Sequence, residues 1–151
     1  MLRARLNDAL KSAMKAKDQN AVSTVRLILA ALKDRDIAAR SKGNMEGIGE
    51  DEILAMLQSM IKQRKESIAL YEKGGRLELA EQEAQEIKVI EQFLPSQLND
   101  QEMSEAIQSV IQEAGPCCLK DMGKIMGTLR ERYAGRMDFS KASAMVKRSL
   151  A

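Results

Sequence analysis

Apolar residues recur three and four positions apart along nearly the whole chain, the spacing that lines one face of an α-helix. Leu2, Leu6, Ala9, Leu10 and Ala13 predict a short amphipathic helix with Lys and Arg on its other side. Val22, Val25, Ile28, Leu29 and Leu32 predict a second over 21–40, with Arg26 beside its apolar stripe, partly buried and paired with an acid. Ile53, Leu54, Leu57, Met60, Ile61, Ile68 and Leu70 mark a long third helix over 50–72. In it the polar run Gln63 to Ser67 interrupts the rhythm. Leu77, Leu79, Ala80, Ala84, Ile87, Val89, Ile90 and Phe93 predict a fourth over 76–94.

The breaks are as informative as the stripes. Asp18-Gln19-Asn20 is a polar break, and Ser41 to Gly49, with three glycines, reads as a plain surface connector. Gly74-Gly75 ends the third helix, where positive φ is wanted. Pro95 disfavours helical geometry at Leu94 and lacks a donor, so the fourth helix stops there. Asn99 with Glu102 three residues on is a capping box without Ser or Thr. A fifth helix follows over 100–114 (Met103, Ala106, Ile107, Val110, Ile111) and stops at Gly115-Pro116. Met122, Ile125, Met126 and Leu129 predict a sixth to about Arg132, with Cys118 in its N-cap position. After a turn over 133–137, Asp138 caps a seventh built on Phe139, Ala142, Met145, Val146 and Leu150. No stretch has the period of a strand. The expected fold is all-α: an N-terminal four-helix part over 1–94, a Pro-containing hinge over 95–99 and a small C-terminal three-helix domain over 100–151.

Composition removes most catalytic classes. There is no histidine among 151 residues, which excludes Ser-His and Cys-His dyads, imidazole bases and the commonest metal ligand. Cys117-Cys118 are adjacent and form neither a redox Cys-x-x-Cys nor a zinc knuckle; reduced thiols are expected. A thiol at a helix start beside Lys120 has some thiolate tendency, but no base or partner cysteine accompanies it. Glu83 and Glu86 share a helix face without further ligands and read as a solvated face. The expectation is no catalytic residues, no metal and no cofactor. No apolar run approaches a membrane span and no signal-peptide pattern opens the chain, which suggests a cytoplasmic protein.

The net charge of +2 conceals segregation. Residues 1–42 hold ten Lys/Arg against four Asp/Glu, residues 43–115 six against fifteen, and residues 116–151 eight against three. Basic ends and an acidic middle suit an anionic partner, or helices of opposite charge packed together. In the sixth helix, Gly123 and Gly127 each cost roughly 1 kcal/mol relative to Ala. One turn apart, they leave a strip bare of side chains. That strip serves either helix packing or close approach of a ligand backbone, with the balance toward packing. Lys120, Lys124, Arg130, Arg132, Arg136, Lys141, Lys147 and Arg148 are the candidate phosphate contacts.

The run from Lys62 to Arg76 (KQRKESIALYEKGGR), Phe93 to Leu98 (FLPSQL), Asp121 to Gly127 (DMGKIMG) and Gly135 to Asp138 (GRMD) resemble the YqeY family, from the first helix to the last residue. The resemblance implies an all-helical protein akin to the tail domain of GatB, a subunit of tRNA-dependent amidotransferases. There the tail contacts tRNA while kinase and transamidation chemistry reside elsewhere. Pro116-Cys117-Cys118 departs from the family's small residue and Ser or Thr cap. The implied function is a non-catalytic tRNA-associated module, with tRNA and possible aminoacylation or amidotransferase proteins as partners and no membrane. A protein-interaction adaptor without RNA binding is the alternative, and amidotransferase activity of its own the weakest.

Overall fold

The structure, a computed structural model, describes residues 1–115 and 119–150, and only the backbone of Leu119. The described residues form seven α-helices and one short 3-10 turn, in an N-terminal group of four helices and a C-terminal group of three. The chain divides into two compact units, Met1–Leu94 and Pro95–Ala151. The predicted cap at Cys118 lies outside the described residues.

In the first unit, α1 (Leu2–Lys15) packs on α2 (Gln19–Ser41), and α3 (Glu50–Lys73) runs along α4 (Leu77–Glu91), which also meets α2. The apolar stripes converge on Leu6, Val25, Ile28, Ile53, Met56, Leu57 and Ile90, all essentially without solvent exposure. Each fully buried aliphatic side chain contributes about 1.5–3 kcal/mol. Local chemistry sets the ends. Lys17 takes φ +57°, and the Asp18 carboxylate accepts from Ala21 N–H at 3.1 Å to start α2. Gly75, at φ +72°, closes the turn after α3. Glu50, Asp51 and Glu52 crowd the first turn of α3, where the helix dipole favours negative charge.

Three expectations are corrected here. Arg26 is exposed and makes no ion pair with a described residue, because the burial stripe passes through Val22, Val25 and Ile28 and leaves position 26 outside it. Glu83 and Glu86 are not a solvated face. Arg64, from within the polar run of α3, reaches Glu86 at 3.1 Å and Glu83 at 4.0 Å, and also donates to the Met60 carbonyl at 3.1 Å. All three side chains are at most 23% exposed. Burial, then the neighbouring Glu86 charge, raises the Glu83 carboxyl above its ordinary value.

The glycine-bearing segment 42–49 is no plain connector either. Its end is clamped: Ile48 is buried in the core at 7% exposure, its N–H donates to Asp36, and its carbonyl accepts from Arg3. Arg3 and Asp36 form a two-pronged ion pair at 2.7 and 2.9 Å, and its hydrogen bond is the main cause holding Asp36 down at about 2. Gly47, at φ +91°, passes so close that a Cβ would lie 2.6 Å from the Asp36 Oδ1.

The second unit is built from α5 (Asp100–Ala114), a 3-10 turn (Leu119–Asp121), α6 (Met122–Arg132) and α7 (Phe139–Leu150). The sixth helix therefore starts at Met122, after a tighter turn, and Asp121 occupies its N-cap. Met103, Ile107, Val110, Ile125, Leu129, Met137, Ala142 and Val146 form its core. Asn99 and Glu102 make both bonds of the capping box, and Asp138 accepts from Ser140 N–H at 2.9 Å. The Pro-containing segment is bonded to the turn between α6 and α7. Leu98 N–H donates to the Arg136 carbonyl, Arg136 Nε to the Ser96 carbonyl, and Gln97 to the Gly135 carbonyl.

Candidate nucleic-acid interface

The phase of α6 follows from its core residues. Ile125, Met126 and Leu129 point inward, and about 100° per residue then carries positions 123, 124, 127, 130 and 131 to the outside. Gly123 and Gly127 are accordingly exposed, and a Cβ built on either meets nothing within 4 Å. The expectation that these glycines serve packing is overturned, since no described residue comes within 4 Å of a Cβ built on either. One turn on from Gly127 lie Arg130 and Glu131, and Lys124 flanks the strip, all exposed. The face is thus open backbone edged by Lys124, Arg130 and the carboxylate of Glu131.

The eight candidate cations do not form one set. Arg132 is paired with Glu113 at 2.7 Å, and Lys141 with Asp100. The Glu113 hydrogen bond raises Arg132 above its ordinary value, while the same bond lowers Glu113. Arg136 ties the 95–98 segment down and lies over the Tyr133 ring, 5.9 Å from its centroid. These three are engaged by partners within the unit. Lys120, Lys124, Arg130, Lys147 and Arg148 are exposed and make no ion pair with a described residue. The unit contains eight Lys/Arg and seven Asp/Glu, so any attraction for an anion comes from their placement, not from net charge. What reading the sequence missed is this division, which depends on acids of α5 that lie far from the cations in the chain.

Among the described residues, no group of three or more His, Cys, Asp or Glu is placed to hold a metal ion. No helix is long and apolar enough to cross a membrane among them either. Cys117 and Cys118 lie outside the described residues.

Fold and surface together define an all-helical protein of two small units, one with two exposed glycines on a helix face that also carries Lys124, Arg130 and Glu131. The chain belongs to the YqeY family: the family described as Yqey-like protein matches residues 3–150. It is similar to "Altered inheritance of mitochondria protein 41, mitochondrial" of Kluyveromyces lactis, 38% identical over 60% of this chain and 46% of that protein. The protein of the same name from Vanderwaltozyma polyspora is 29% identical over 94% of this chain and 79% of that protein. An uncharacterized protein of Schizosaccharomyces pombe is 31% identical over 62% of this chain and 72% of that one. The chain spans about half the length of several curated relatives that it matches. These names overturn the cytoplasmic expectation, because the named relatives are mitochondrial proteins. The physical reason is that charge, helicity and lack of a long apolar run describe solubility of a segment and carry no address.

Proposed function

We propose that the C-terminal unit is a non-catalytic module that associates with tRNA through the outer face of α6 and the basic end of α7. The observation that carries this reading is the set Lys120, Lys124, Arg130, Lys147 and Arg148, exposed and without an ion pair to a described residue, with Lys124 and Arg130 on α6 beside an open glycine strip. Such a surface suits a sugar-phosphate backbone, which asks for cations and close approach more than for base stacking. Two Tyr and two Phe in the whole chain leave little to stack bases on. The resemblance to the amidotransferase tail supports the same partner, and amidotransferase or aminoacylation proteins would then be neighbours on the tRNA.

The test is titration of unfractionated tRNA at two salt concentrations. Removing one phosphate-binding cation should flatten the slope of log affinity against log salt by roughly 0.7–0.9. Lys124→Ala/Arg130→Ala should therefore flatten it by about 1.5, while Arg132→Ala should leave it nearly unchanged. Absence of wild-type binding at low salt sinks the RNA reading, and an unchanged slope in the double variant sinks this face.

A further inference from the structure

The first unit carries a second cationic surface of different character. On α2, Arg26, Lys33 and Arg40 recur at intervals of seven, so they stack along one side of the helix about 10.5 Å apart. All three are exposed, and none forms an ion pair with a described residue. Arg40 is close enough to Asp36 to lower its pKa, but Asp36 is bonded to Arg3. The one other acid of the helix, exposed Asp34, is about 100° round from Lys33, in line with Leu27 at the edge of the row. Between the cations lie Ala30 and Ile37, the latter 51% exposed, and Leu27, 45% exposed, flanks the row beside a shallow depression at Val22 and Ser23.

We infer that this face docks an acidic amphipathic helix of a partner protein. Charge complementarity names the sign of the partner, and the spacing names its form. A helix that packs alongside another repeats its contacts every seven residues, so carboxylates at that interval would meet Arg26, Lys33 and Arg40 in register. The aliphatic positions decide against a nucleic acid: a phosphate chain would lay a hydrated, charged backbone on Ile37 and Leu27, whereas a helix covers them with its own apolar residues. The α2 helix, about 35 Å long, is long enough for three such repeats.

The experiment uses the full chain and a synthetic three-heptad helical peptide with Glu at every seventh position and Leu between, followed by fluorescence anisotropy at low and moderate salt. The Glu peptide should bind, its Lys counterpart should not, and Arg26→Glu/Lys33→Glu/Arg40→Glu should weaken binding at least tenfold. Ile37→Ser should weaken it several-fold with little change in salt dependence. Unchanged far-UV circular dichroism shows that the variants fold, since all four positions are exposed. No binding of the Glu peptide at low salt overturns the inference, as does equal binding by the triple variant. Loss of tRNA binding in the triple variant, without peptide binding by wild type, would make the face a nucleic-acid surface and also overturn it. The tRNA face of α6 is untouched by these changes, so its failure is read separately.

Discussion

Replacing Gly123 and Gly127 by Ala should make the protein more stable and a poorer RNA binder at once. At an interior helical position, Gly→Ala is favourable by about 0.8–1.0 kcal/mol. Gly127 lies mid-helix and should show the full effect; Gly123, the second residue of α6, should show less because the first turn is only partly committed. Neither has positive φ, and neither added methyl meets an atom within 4 Å, so no strain offsets the gain. The sum is about 1.5 kcal/mol. For a unit of this size, that raises the midpoint of thermal unfolding by roughly 6–12 °C. Circular dichroism melts of the full chain, with hydrogen exchange at Ile125 and Leu129 amides to locate the change in the second unit, measure it. The same double variant should bind tRNA several-fold more weakly, because two methyl groups hold a backbone off the strip. A destabilised variant would refute the outward placement of the glycines. A stabilised variant with unchanged tRNA affinity would refute their part in recognition.

Three further outcomes concern the first unit. Gly47→Ala should lower stability by about 2 kcal/mol or more, since it combines an unfavourable φ with a Cβ driven against the Arg3–Asp36 pair; urea midpoints measure it. Arg64→Met should cost about 2 kcal/mol by leaving two half-buried carboxylates without their cation, a value below that of a fully buried pair because water still reaches them. Glu83→Gln should act in the opposite sense. Its folded pKa is raised above the ordinary 4.5, so the folded state favours the neutral form, and its contribution declines as pH rises through 4.5 and the folded value. The Gln variant should therefore gain on wild type between pH 4 and pH 7, read from urea melts at both.

The helices were legible because each stripe is long and each break has a chemical cause, Asp18, Gly75 and Asn99 among them. The Asn99–Glu102 box could be read from two residues three apart because its interaction is local. Interactions between distant segments could not. Arg64 sits in a polar interruption that looks solvated in the sequence, and only the packing of α3 on α4 turns it toward Glu83 and Glu86. Ile48, a single aliphatic residue between glycines, has no periodicity to mark it as core, yet it fills a place beside Arg3 and Asp36. The glycines of α6 show a competition between two arguments. Their cost suggested a packing role, while the phase of Ile125, Met126 and Leu129 already turned them outward. Geometry decides, because a strip that no described residue touches is not a packing contact among them.

The clamp on the 42–49 segment has a consequence for how the chain tolerates change. Seen as a string of small residues, the segment invites insertions anywhere. Its two halves behave differently: Met45 is 72% exposed, whereas Gly47 and Ile48 are threaded against an ion pair and the core. Protease nicks and engineered tags are best tolerated near the exposed Met45, in a surface turn. One residue added between Gly47 and Glu50 would instead shift Ile48 out of its socket and the start of α3 with it. The segment is a ruler at one end and a tether at the other.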